Sequence, residues 1–225
     1  MKSLALVRLL QLTSQALPVG GYSHSHGLES AVEQRIVADE ESAANWISDM
    51  LDFSMKTFEI PRLLNLGRAW TAGDFAAVRL LNDESLASRE SAELRAASVQ
   101  MGYSLRVLLS VLPDFPADIV DALRTMAEPA LPCVWSAAAT AWRIEPRDSI
   151  LGYLWSWAEN QVLVAMKTVP LGQSAGQRIL QNLGTRMARF AESSDLSAEP
   201  RSNFAPGLAI LSSQHEIQYS RLFRS

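Results

Sequence analysis

The chain has 225 residues, a formal net charge of −4, 48% hydrophobic and 20% charged residues, a balance that excludes a disordered chain and leaves length for a sizeable core. The negative charge argues against a generic nucleic-acid binder, which needs a basic face to neutralise phosphates. Cys133 is the single cysteine, so no intrachain disulfide can form and nothing suggests an oxidising compartment.

The opening MKSLALVRLLQL places one lysine before an apolar run, as a signal peptide does. Arg8 and Gln11 interrupt that run, however, and no small-x-small cleavage site follows. It reads as an amphipathic first helix of a cytoplasmic protein, with Leu4, Val7, Leu10 and Gln11 along one side. Residues 16–30, ALPVGGYSHSHGLES, contain Pro18, Gly20 and Gly21 and cannot be regular helix. A short helix then covers about His26 to Gln34.

Asp39 is positioned to cap a long helix from Glu40 to Phe58, with Glu40 and Glu41 in the first turn where the dipole favours anions. Trp46, Ile47, Met50, Leu51 and Ser54 form its packing stripe. Pro61 suits the first turn of the next helix, and Gly73 marks its end. Asp74 caps a further short helix, to about Leu81. From Ser88 to Val111 the chain is helical again, with Leu94, Ala97, Met101, Leu105, Leu108 and Leu112 in register and an apolar late half expected to be buried. Pro113 and Pro116 precede a helix at about Ala117 to Ala127. Pro129 and Pro132 precede another, Cys133 to Trp142, in which Ala137, Ala138 and Ala139 permit close helix–helix approach.

The stretch from Ile150 to Arg189 is the centre of the pattern. Leu151, Leu154, Trp155, Ala158, Val162, Ala165, Met166 and Val169 recur at helical spacing, and Tyr153, Trp157 and Val164 make the other face apolar too. A helix of that kind belongs in the middle of a bundle. Glu159, Asn160 and Gln161 at mid-span argue against a membrane span. Pro170 ends the helix, and a second one returns from the Gly172 turn, about Ser174 to Ala191. No stretch shows sustained period-two alternation. The expected fold is all-α, a single-domain bundle over residues 1–225 of roughly ten helices with short Pro- and Gly-marked turns.

Chemistry-bearing motifs are sparse. His24 and His26 flank Ser25 and could converge on one ion if extended, but two ligands do not close a site; an ordinary loop is the plainer reading. His215 is isolated in sequence. Gly172 to Gly176 faintly resembles a phosphate loop, yet it lacks the lysine and the preceding strand, and a helix-to-helix turn explains it. The tail HEIQYSRLFRS sets Ile217, Tyr219, Leu222 and Phe223 among Arg221 and Arg224, where chains are usually polar and frayed. Aromatic and arginine residues together are typical of interface anchors, so a partner is favoured over docking on the chain's own domain. On residues alone the chain reads as a helical interaction protein.

Four blocks resemble the urease accessory protein UreF family: LLQLTSQALPVGGYSHSHGLE from Leu9, ELRAASVQMGYSL from Glu93, YLWSWAENQVLVAMKTVPLGQSAGQRIL from Tyr153, and HEIQYSRLFRS from His215. Family members often carry an aromatic where His24 stands. The resemblance implies a non-enzymatic, cofactor-free scaffold that forms homodimers and joins UreD (UreH in some organisms) and the GTPase UreG on apo-urease. That assembly gates GTP-dependent nickel insertion, with neither nucleic acid nor membrane as partner. Residues 214–225 become a docking tail for UreD, through Tyr219, Arg221, Leu222, Phe223 and Arg224. Lys167 becomes a contact for UreG, since relatives tend to carry a basic residue before the Val-Pro-Leu-Gly-Gln turn; otherwise it is a helix-end cation. The alternative function is a small helical nickel-binding chaperone using His24, His26 and His215.

Overall fold

The two aspartates assigned as helix caps take that role: Asp39 accepts a hydrogen bond from the Ser42 N–H at 2.8 Å and Asp74 one from the Ala77 N–H at 3.0 Å. The computed structural model describes residues 2–113, 115–192, 202–203 and 205–225. Among them the chain is all-α: α1 (Ser3–Leu12), α2 (Leu28–Glu33), α3 (Glu40–Met50), α4 (Ile60–Ala72), α5 (Phe75–Ala87), α6 (Ala92–Val111), α7 (Ala117–Arg124), α8 (Leu131–Ala141), α9 (Pro146–Thr168), α10 (Gln173–Glu192) and α11 (Pro206–His215). None of these helices is long and apolar enough to cross a membrane.

α9 does what its all-round apolarity implies. Tyr153 joins a core built from α1 and α4 to α8, while Ile150, Leu154, Trp157, Ala158 and Val162 join a second core with α2, α3, α10 and α11. Trp155 departs from expectation, lying 39% exposed beside Gly184 of α10. Its place on the packed surface goes to Tyr153 and Trp157, because α9 is enclosed from two sides.

Other expectations change. The helix from Glu40 does not stop at Phe58 but runs through a π-helical stretch, Leu51–Glu59, into α4. Pro61 has no N–H and its ring crowds the preceding turn, and the widened spiral lies immediately before it. In α1 the buried residues are Ala5, Leu9 and Leu12, whereas Leu4, Val7 and Leu10 face outward. The late half of α6 is buried on one side, through Leu105 and Leu109 with Leu108 and Leu112 packed beside them, while Val107 and Val111 are exposed. α5 runs to Ala87 rather than Leu81, and α11 has no counterpart in the sequence reading.

Gly172 to Gly176 opens α10 as a helix-to-helix turn. The same five residues spell Gly-x-Ser-x-Gly, but a nucleophile elbow needs a strand before it, and here a helix precedes.

The small residues of α8 admit α4 and α6 closely, and Gly102 sets the limit. A Cβ there would lie 2.1 Å from the Pro129 carbonyl oxygen. Gly102→Ala should therefore cost about 1–3 kcal/mol by forcing α6 away from the start of α8. Gly67→Ala, at a position with nothing within 4 Å, should instead be neutral or gain up to about 1 kcal/mol of helix propensity. Thermal melts of both variants check this, and equal midpoints would contradict it.

Candidate functional site

The glycine-rich segment before α2 and the segment after α11 form one structure. Gly27 adopts φ +81°, and a Cβ on it would come within 2.9 Å of Leu208 in α11, so this turn requires glycine for both conformation and space. The polar residues at the middle of α9 explain themselves here. Asn160 Nδ2 donates to the His24 carbonyl at 2.9 Å and Gln161 Nε2 to the Ser25 carbonyl at 3.2 Å. They secure a loop that has only a short 3-10 turn, Gly21–Ser23, to satisfy its own backbone.

That loop in turn holds the tail. Arg224 N–H donates to the Ser23 carbonyl at 2.8 Å, and the Ser225 carbonyl accepts from the His26 N–H at 3.0 Å and from the Ser25 N–H and hydroxyl. His24 Nδ1 lies 2.9 Å from the Ser225 hydroxyl. The stronger attachment is Glu29 of α2, a residue the sequence reading did not single out. Its buried carboxylate accepts from the Leu222 N–H at 2.6 Å, the Phe223 N–H at 3.0 Å and His215 Nε2 at 3.0 Å. The other ring nitrogen of His215 sits 2.6 Å from Glu93 of α6, which also pairs with Arg221 at 2.7 Å. Charged acceptors holding backbone N–H groups away from water are among the stronger hydrogen bonds.

The tail thus docks on its own domain, and the six residues named for partners divide. Phe223, 7% exposed, is part of the second core and carries Lys167 Nζ at 5.6 Å from its ring centroid. Arg221 is engaged with Glu93, and Arg224 reaches Gln100 at 3.3 Å. Tyr219 at 105% and Leu222 at 74% relative exposure project outward, together with Ile217 at 86%. The fold therefore presents an apolar ledge on a firmly anchored strip of backbone.

The histidines do not assemble. His215 has both nitrogens on carboxylates, His24 Nδ1 is on Ser225, and His26 lies with its ring centroid 6.3 Å from that of His24. Among the described residues no group of three or more His, Cys, Asp or Glu is placed to hold a metal ion. Burial pushes the Cys133 thiol upward, away from thiolate chemistry.

Burial, then the Arg224 guanidinium, lowers the His24 pKa to about 4; burial, then His24 and Arg89, lowers that of His26 to about 3. The unfolded imidazoles take up protons near pH 6.5 while the folded ones stay neutral, so the unfolded state binds more protons below that pH. Stability should fall as pH drops from about 6.5 toward 4, by up to about 3 kcal/mol for each histidine. Urea midpoints at successive pH values measure it. A His24→Asn, His26→Asn variant should show a flatter acid limb, and an unchanged slope would refute the assignment.

A family model for UreF matches residues 37–184. Urease accessory protein UreF of Dechloromonas aromatica (strain RCB) is 52% identical over 224 residues, covering 99% of this chain and 98% of the relative. The chain belongs to the UreF family. The protein of the same description from Azoarcus sp. (strain BH72) is 53% identical over 229 residues, covering 99% of this chain and 96% of its own. That from Janthinobacterium sp. (strain Marseille) is 46% identical over 226 residues, end to end on both. The family model stops short of the tail, but these relatives extend through it.

Proposed function

We propose that the chain is a cytoplasmic urease-maturation scaffold that joins UreD (or UreH) and the GTPase UreG on apo-urease and gates GTP-dependent nickel insertion, modulating a partner's hydrolysis rather than catalysing a reaction. Family membership supports the urease assignment. The observation that carries the scaffold reading is the ledge of Ile217, Tyr219 and Leu222, held out from the domain by the Glu29 and Glu93 carboxylates. Exposed apolar groups on an ordered backbone lose little entropy on docking, which suits a surface made to receive UreD. Co-purification with UreD and UreG homologues tests the proposal, and a chain that retains neither would overturn it.

A homodimer is part of the same proposal. The apolar side chains of residues 130–142 and 150–169 are taken up by the chain's own cores and leave little for a second copy. The exposed Leu4, Val7 and Leu10 of α1 are the better support.

Lys167 is exposed at the end of α9, over the buried Phe223 ring. That place joins the helix-end role to the tail, and it suits a basic contact for UreG beside the UreD ledge. Lys167→Ala should leave the fold within about 0.5 kcal/mol, as surface substitutions do, and weaken UreG retention or alter the gating of its GTP hydrolysis. Wild-type UreG retention and wild-type urease activation together would return Lys167 to the role of a helix-end charge.

A further inference from the structure

Between the two cores lies a cavity of about 170 Å³, room for roughly ten waters or one small organic molecule, at about 10–15 Å³ of such volume per water. Much of its wall is aromatic or thioether: Tyr22, Met50, Met55, Met101, Trp135 and Trp157. The polar remainder is built around Glu59, which is 1% exposed, pairs with Arg89 at 2.6 Å and accepts from the Tyr153 hydroxyl at 3.3 Å.

This polar group is unfinished. Glu90, Arg89 and Ser156 line the cavity, and among the described residues the buried Glu90 Oε1, Arg89 Nε and Ser156 Oγ have no hydrogen-bond partner, while Glu59 Oε1 faces Arg89 without an aligned hydrogen bond. Unmatched polar atoms are uncommon in a finished interior and need a reason.

Charge narrows the choice of ligand. Among the described residues, Glu59, Glu90 and Glu159 line the space against the guanidinium of Arg89, with His26 held neutral by burial. An anion is disfavoured by three carboxylates. A neutral molecule leaves the Glu90 oxygen without a counter-charge. The described residues offer no cluster that fits a metal ion. Aromatic faces attract cations, and the thioether and indole surfaces suit an apolar stem.

We propose that this cavity binds an organic ammonium, an R–NH3+ group on a short apolar stem, with the Glu90 carboxylate as counter-ion, Ser156 Oγ as a second acceptor and Trp135 and Trp157 against the stem. Arg89 remains the partner of Glu59. A free alkylamine and the lysine side chain of a docked protein share this chemistry. Glu90 also faces Arg89, Glu59 and Asn203, and burial raises its pKa. Binding of the cation favours its ionised form, so affinity rises with pH across the carboxylate's titration.

The test is titration of the full chain with n-butylammonium chloride, followed by tryptophan fluorescence, with n-butanol as the neutral isostere. Saturable binding is expected for the ammonium and about tenfold or weaker binding for the alcohol. Glu90→Gln should weaken the ammonium about tenfold without moving the urea midpoint, and Ser156→Ala should weaken it less. No saturable response, equal binding of butanol, or full affinity in both variants would overturn the proposal. Excess butylammonium added during co-purification then separates the sources: displacement of a partner identifies a lysine side chain, and an undisturbed complex identifies a free amine.

Discussion

Glu29→Ala should release the tail and cost the fold about 3–5 kcal/mol, since each hydrogen bond to a buried charged acceptor is worth about 1.5–3 kcal/mol. The carboxylate accepts from two backbone N–H groups of the tail and from the His215 ring. Each buried donor left unpaired costs about 1–3 kcal/mol. Phe223 follows its own N–H out of the second core, forfeiting about 1.5–3 kcal/mol of aromatic burial. These losses overlap, because once the tail is out its donors reach water, which keeps the total near the single-site figure. Glu29→Gln keeps the shape and one acceptor oxygen, and should lose less than half as much. Urea denaturation reads the stability, and limited trypsin digestion after Arg221 and Arg224 reads release of the tail. A midpoint and digestion rate like those of the parent chain would show that Glu29 does not hold it.

All the helices except α11 were legible because they carry local signals, such as Asp39 and Asp74 before them, Gly73 and Pro170 after them, and apolar periodicity within. What periodicity could not tell was which apolar face finds a neighbour. α1 has two such faces, and the structure buries Ala5, Leu9 and Leu12; nothing local distinguishes this side from Leu4, Val7 and Leu10. Pro61 was readable as a helix start but not as the sequel to a π-helical stretch, since an uninterrupted rod depends on what packs along it.

The site was legible only in part. The tail stood out by its composition, but Glu29 and Glu93 are ordinary carboxylates in helical sequence until a fold brings His215 between them. A glutamate in the second position of α2, next to a glycine turn, reads locally as a dipole partner. Asn160 and Gln161 did give a signal. Read as an obstacle to membrane insertion, they are also polar groups in the middle of an apolar helix, and such groups require partners.

Tyr219→Ala with Leu222→Ala should leave folding stability within about 0.5 kcal/mol while removing the ledge. Both side chains are exposed, and the tail is held through backbone groups and through His215, Arg221 and Phe223. Phe223→Ala makes a poor probe, because it opens the second core and would lose a partner by loosening the whole strip. Interface aromatics near the centre of a contact cost about 2 kcal/mol or more when truncated, and neighbouring truncations do not add fully. The pair should therefore weaken UreD association about 100-fold or more. Surface-immobilised UreD homologue, titrated with the parent chain and the double variant at equal circular dichroism, gives the ratio. Equal dissociation constants would move the UreD site off the tail and leave Tyr219 and Leu222 as exposed residues on a strip whose function is to close the second core.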